Sequence, residues 1–265
     1  MVTLPDKTLE QLREEAATIK GQTVVAVSRL RTFTGRLCWV CGVLPRVRWV
    51  VRVLYAVITA HEREVAKRAS TTKVALARRR TPEHFVHTVR MRLALIWVAA
   101  FFHTGAVQVR RTYYVAEPLR DIAIITDASP WGLGAVLVHV PSGRPLEAMT
   151  SQLTEADAAD VGSAIGDPAG QASWEFLAIV VAIFKWGRFF AKRVRVPILK
   201  SDSMSALGAA RKLASPAPAL NWLAAELAIR LECLDSADPE GFHLPGKLND
   251  LADFYSRPNP PNCPA

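Results

Sequence analysis

Residues 121–140 read DIAIITDASPWGLGAVLVHV. From Ile122 to Thr126 the run is apolar and β-branched, the pattern of a strand buried on both faces. Gly132 and Gly134 open a second run of the same kind. Asp127 stands in the middle of this apolar stretch, where a strand core should be. A buried carboxylate costs free energy unless it is paired, hydrogen-bonded or bound to a cation, so its position calls for a chemical reason.

The chain on either side supplies the setting. Pro141-Ser142-Gly143 reads as a turn and RPLEAMTSQL as a third strand, which makes three antiparallel strands. Residues 155–171, EADAADVGSAIGDPAGQ, read as a polar connection rich in Gly and Ala. ASWEFLAIVVAIFKWGRFFAKR is a long apolar helix and VRVPILKSD a strand. SMSALGAARKLA and ALNWLAAELAIRLECL are helices, EGFHLPG is a short strand and turn, and NDLADFYSR is a last helix before the PNPPN stop. The predicted order is three strands, helix, strand, two helices, strand, helix.

Three further acids fall in comparable places: Glu175 near the start of the long helix, Asp202 at the end of VPILKSD, and Asp253 on the terminal helix. If the first and fourth strands are neighbours and the helix crosses them, all four acids meet at one end of the sheet. Carboxylate oxygens suit hard divalent cations, magnesium or manganese. Two such ions about 4 Å apart serve phosphodiester hydrolysis by activating water and stabilising the leaving oxygen. The chemistry expected is that of a metal-dependent nuclease.

TDASPWGLGAVL, WEFLAIV, LKSDSMSAL and HLPGKLNDLADFYSR resemble, in this order, the signature blocks of the ribonuclease H domain of retrotransposon polyproteins. The last block is the most specific, with its His, Pro-Gly turn, Asn, Ala-Asp pair and Ser-Arg. The resemblance covers roughly residues 119–258 and implies an α/β fold: a ribonuclease H-like five-stranded mixed sheet flanked by helices, preceded by a small all-α region. It implies that Asp127, Glu175, Asp202 and Asp253 hold two Mg2+ or Mn2+ ions and that His243 is a mobile histidine beside the site. It further implies that Gly132, Gly134 and Asn249 lie near the substrate, the glycines admitting a sugar 2′-OH. The substrate implied is an RNA–DNA hybrid. The connection before Glu175 is longer than is usual in that family, Tyr255 stands where Leu is common, and Asp250, three residues before Asp253, competes for the fourth role by helical spacing.

Charge divides the chain. Residues 1–117 hold 20 Lys plus Arg against 8 Asp plus Glu, a net of +12, whereas residues 118–265 hold 13 against 16, a net of −3. A basic first part favours a polyanionic partner. Its patterns are helical: PDKTLEQLREEAATIK carries Leu9, Leu12, Ala16 and Ile19 on one face. TVVAVSRLRTFTGRLCWVCGVL and RVRWVVRVLYAVITAHEREVAKR are separated by Pro45, and a third segment runs from about Glu83 to His103. Residues 1–112 are similar to the thumb and connection helices that follow the polymerase palm in retroelement reverse transcriptases, and 259–265 read as a tail. No adjacent pair of aspartates occurs in the chain, so polymerisation by this chain alone is not expected. The history implied is a carboxy-terminal piece of a gypsy-like or DIRS-like element, with a reverse transcriptase polymerase portion as a partner. The alternative is a catalytically inactive nucleic-acid-binding remnant; a transposase or integrase core would share the fold with a different acid pattern.

Other features have plainer readings. No signal peptide pattern opens the chain and four cysteines form no disulfide framework, so an intracellular, reducing setting is expected, nucleus and cytoplasm being undistinguished. LALIWVAAFF is too short to cross a bilayer and reads as a buried helix, so no membrane partner is expected. Cys38 and Cys41 read as buried thiols, and Trp39, Trp49, Tyr55 and Trp97 as core aromatics. Glu83, His84 and His87 lack the spacing of a zinc protease helix, and Arg78–Arg80 read as a solvated loop or a phosphate contact.

Overall fold

The computed structural model describes residues 2–70, 84–103, 110–111 and 118–257. The chain divides into two compact units, Met1–Tyr113 and Tyr114–Ala265. Arg78–Arg80 and the segment 259–265 lie outside the described residues.

Among the described residues the first unit is built on four α-helices, α1 (Asp6–Lys20), α2 (Val27–Val40), α3 (Arg48–Ser70) and α4 (Arg92–His103). Leu12, Ala16 and Ile19 of α1 and Leu30, Phe33, Leu37 and Val40 of α2 are buried at spacings of three and four, the stripe expected of helices that share a core. Four short strands, β1 (Val2–Thr3), β2 (Val24–Ala26), β3 (Phe85–His87) and β4 (Arg110–Arg111), form two antiparallel ribbons, β1 with β4 and β2 with β3. The second ribbon shortens two of the expected helices. Val24 and Val25 are β-branched and gain a ladder with His87 and Val86, and the Thr88 hydroxyl donates to the Gln22 carbonyl at 2.7 Å.

Some expectations for this unit need correction. Trp49 is buried, edge-on to Trp97, which stacks on Phe101, but Trp39 and Tyr55 are exposed. Cys41 is buried, and burial pushes its thiol up to about 12; Cys38 is exposed beside the Tyr55 hydroxyl. Helix α4 is buried on one side only, with Leu93 and Ile96 exposed opposite Leu95, Val98 and Phe102. Among the described residues no helix is long and apolar enough to cross a membrane.

The second unit holds a five-stranded sheet. β5 (Ile122–Ala128), β6 (Gly132–His139) and β7 (Arg144–Gln152) form an antiparallel meander. β8 (Ile198–Ser201) lies parallel to β5, and β9 (Glu240–His243) parallel to β8. The order β7-β6-β5-β8-β9 makes β5 the central strand, which explains its continuous apolar run. This mixed five-stranded sheet with flanking helices is the architecture expected from the sequence.

Among the described residues five α-helices accompany the sheet: α5 (Glu155–Val161), α6 (Gln171–Trp186), α7 (Met204–Lys212), α8 (Pro218–Cys233) and α9 (Asp250–Ser256). Helix α6 packs against β5 and β6 and also against α7 and α8, so it is apolar around most of its circumference. Helix α9 lies across β5, β6 and β7. Helix α5 sits in the stretch that reads as an irregular connection. Its start is a capping box in which Asp157, rather than a Glu or Gln, answers Thr154, and Gly162 ends it in the left-handed region at φ 71°.

Candidate metal centre

β5 and β8 run parallel and end at the same edge of the sheet. Asp127 is the last residue but one of β5 and Asp202 directly follows β8. Glu175 lies one turn into α6, the helix packed on β5. One carboxylate oxygen from each of Asp127, Glu175 and Asp202 lies within 4.8 Å of the other two. Asp127 is 7% exposed and Glu175 5%.

Neutral donors hold Asp127 and Glu175. The Ser256 hydroxyl, at the end of α9, donates to Asp127 Oδ2 at 2.7 Å, and Asn249 Nδ2 donates to Asp127 Oδ1 at 3.3 Å and to the Thr126 carbonyl at 3.1 Å. Gln171 Nε2 donates to Glu175 Oε1 at 2.9 Å and to the Ala128 carbonyl, while Ser201 Oγ stands 3.5 Å from Glu175 Oε2. Among the described residues none of the three acids forms an ion pair.

The electrostatic consequence is a site short of positive charge. Burial pushes Asp127 up to about 6; the Ser256 hydrogen bond opposes the rise and the charges of Asp253 and Asp202 add to it. Burial pushes Glu175 up to about 8, helped by the Asp127 charge and opposed by Gln171. Protons or cations relieve such a cluster. Every donor is a carboxylate oxygen, and the thiols of Cys38, Cys41 and Cys233 are not among them, so the donor set fits a hard divalent cation of the magnesium or manganese type.

The structure places the other expected site residues as follows. Asp253 stands outside the group of three, paired with Arg257 at 2.6 and 3.0 Å, yet its charge acts on Asp127. Asp250 is exposed in the first turn of α9. His243 is exposed at the end of β9, in register with Ser201 and so beside the strand end that precedes Asp202.

Gly132 begins β6, and its N–H donates to Ser129 Oγ at 3.0 Å. At Gly134 the backbone of α9 comes close. A Cβ there would lie 2.7 Å from the Tyr255 carbonyl carbon and closer still to Ala252 O and Ser256 N, so the missing side chain admits the backbone of α9. Asn249 is 2% exposed and turned to Asp127 and Thr126.

Four polar residues of the site carry no signal strong enough to be singled out in the sequence: Gln171, Ser129, Ser201 and Ser256. Two have a local pattern in retrospect. Gln171 precedes Glu175 by four residues, and Ser256 follows Asp253 by three, both spacings that share a helix face.

No protein-family model matches the chain, and no curated protein matches it in sequence. Among solved structures it is similar to a ribonuclease H1 from the halophilic archaeon Halobacterium salinarum, at 19% identity and a TM-score of 0.37, over 51% of this chain and 92% of that one. It is similar to a ribonuclease H1 isolated from compost, at 20% identity and a TM-score of 0.39, over 52% and 93%. A third likeness is to the foamy viral protease-reverse transcriptase in complex with an RNA/DNA hybrid, at 13% identity and a TM-score of 0.31, over 92% of this chain but 27% of that one.

Proposed function

We propose that the protein is a metal-dependent nuclease of the ribonuclease H kind that cuts the RNA strand of RNA–DNA hybrids. The observation that carries this reading is the meeting, within 4.8 Å, of Asp127 and Asp202 at the ends of two parallel strands with Glu175 from α6, Asp127 and Glu175 being buried and none of the three forming an ion pair among the described residues. In this reading Asp127, Glu175, Asp202 and Asp253 hold two magnesium or manganese ions. Bound there, the ions supply the Lewis acidity that makes a water nucleophilic and steadies the leaving oxygen of the phosphodiester.

The chain's own side chains orient the acids. Asn249 and Ser256 hold the two oxygens of Asp127, and Gln171 holds Glu175 against the end of β5. His243, exposed at the end of β9, takes the role of exchanging a proton with solvent or the departing product. The basic residues of Met1–Tyr113 take the role of phosphate contacts, which would make binding weaken as salt rises. The four sequence blocks support an origin in a gypsy-like or DIRS-like retroelement, with a polymerase portion as partner.

The test is cleavage of a labelled RNA–DNA hybrid with magnesium, beside chelator, duplex DNA and duplex RNA. Loss of the RNA strand of the hybrid alone, and with metal alone, is the expected result. The pairing of Asp253 with Arg257 favours a second reading, a binding protein that keeps the fold without turnover. It predicts salt-sensitive hybrid binding and an intact RNA strand at every metal concentration.

A further inference from the structure

Asp127 takes its hydrogen bonds from the α9 side. Ser256 Oγ sits 2.7 Å from Oδ2 and Asn249 Nδ2 3.3 Å from Oδ1, so each oxygen is engaged by one neutral donor. A carboxylate oxygen has two acceptor directions, so each keeps one beyond these donors, and one Asp127 oxygen lies within 4.8 Å of a carboxylate oxygen of Glu175 and of Asp202. Asn249 precedes α9, whereas Ser256 is its last residue, buried with no exposed surface.

Ser256 is bound twice more. Its carbonyl accepts from the Ser129 hydroxyl at 2.6 Å, and Ser129 Oγ in turn accepts from the Gly132 N–H at 3.0 Å, tying the end of α9 to the turn between β5 and β6. Its hydroxyl also lies 2.9 Å from the Asp253 carbonyl. One residue thus touches the first acid by its side chain, the backbone of the fourth by the same hydroxyl, and the strand turn by its carbonyl. Gly134, facing Asp127 across the ladder, lets this helix come close enough for the contacts to form.

We propose that Ser256 is a positioning residue of the metal centre: its hydroxyl fixes the carboxylate plane of Asp127, and through it the site's affinity for divalent cations. The inference rests on the metal-binding reading given above and goes beyond it by assigning the residue that sets affinity without being a ligand. Loss of a group that orients a metal ligand typically weakens affinity roughly 10- to 100-fold.

The experiment is titration of the full chain with Mn2+ alone, followed by calorimetry and by the paramagnetic signal of free Mn2+, for wild type, Ser256→Ala and Ser256→Thr. Melting of each metal-free protein runs beside it. The expected result is a half-saturation for Ser256→Ala raised roughly tenfold or more with melting nearly unchanged, and a half-saturation for Ser256→Thr near wild type, because the hydroxyl is retained. In cleavage assays the same shift should appear in the metal concentration for half-maximal rate, with KM for the hybrid unaltered. Equal Mn2+ binding by wild type and Ser256→Ala overturns the positioning role and leaves the metal site standing. Equal damage in Ser256→Ala and Ser256→Thr overturns it in favour of simple packing. A wild-type chain that binds no Mn2+ overturns the metal reading and this role together.

Discussion

The two ends of the central strand treat an aspartate in opposite ways. Asp121, just before β5, is held by Arg195 at 2.8 and 3.2 Å, and this guanidinium keeps its carboxyl below the usual range. Asp127, at the other end, faces two more acids, and burial pushes it up to about 6. The first acid is compensated within the fold. The second forms no ion pair among the described residues, and the charge of Arg257 only partly offsets the rise that burial and the neighbouring acids impose.

The largest effect that would break this contrast is on turnover. Asp127→Asn removes a charge from the cluster and is expected to lower metal-dependent hybrid cleavage by at least about 10³-fold, several kcal/mol of transition-state stabilisation. The same variant should melt no lower than wild type when metal-free, because it relieves repulsion. Full cleavage by Asp127→Asn, measured at saturating magnesium, would separate the acid cluster from the chemistry.

Next in size is Gly134→Ala. The new methyl would meet the backbone of α9, so a destabilisation of about 1–3 kcal/mol or more is expected in chemical denaturation. Mn2+ binding should weaken with it, since α9 brings Ser256 to Asp127. A variant as stable as wild type would show that α9 has room to retreat.

The response to pH should sharpen the contrast between the two strand ends. Glu175 rises from 4.5 to about 8 and Asp127 from 3.8 to about 6 on folding, so the metal-free folded chain holds more protons than the unfolded one between these limits. Their contribution is therefore present at low pH and lost as pH climbs from about 4 to 8. Asp121, shifted down, contributes in the opposite sense: its stabilisation is present above its unfolded value and lost as pH falls through the folded one. Melting at pH 5 and pH 8 should show the metal-free protein weaker at the higher pH and magnesium rescuing it most there, because the metal takes only ionised carboxylates.

The smallest effect belongs to the compensated end. Asp121 and Arg195 are partly exposed, so Arg195→Ala should cost about 0.2–1 kcal/mol in thermal denaturation and leave Mn2+ half-saturation unchanged. A change in metal affinity there would mean that the two ends of β5 are coupled.

Much of this centre can be read along the chain, and the unread parts have a common cause. Asp127 is legible because it interrupts a β-branched run, and Glu175 and Asp202 because each sits in an apolar element where an acid is out of place. Ser256 and Gln171 are ordinary residues for helix ends; their importance lies in touching Asp127 and Glu175. That Gly134 also makes room for the backbone of α9 is visible only once α9 is packed against β6. In the first unit the period of three and four marks α1 and α2 correctly, but it places Trp39 and Tyr55 inside when they are exposed. Aromatic residues mark apolar faces only on average.

What the amino-acid sequence determines by itself is local and periodic: the strand and helix order of the second unit apart from α5, the split of charge between the two parts of the chain, and the presence of acids in apolar elements. Backbone sterics and side-chain alternation act over a few residues, so they leave their mark in a short window. Only the tertiary structure decided that Asp127, Glu175 and Asp202 converge while Asp253 stays with Arg257, and that a serine 129 residues further along the chain holds the first acid. Those distances follow from the pairing of β5 with β8 and the packing of α9 on β6, long-range contacts whose geometry no short window encodes.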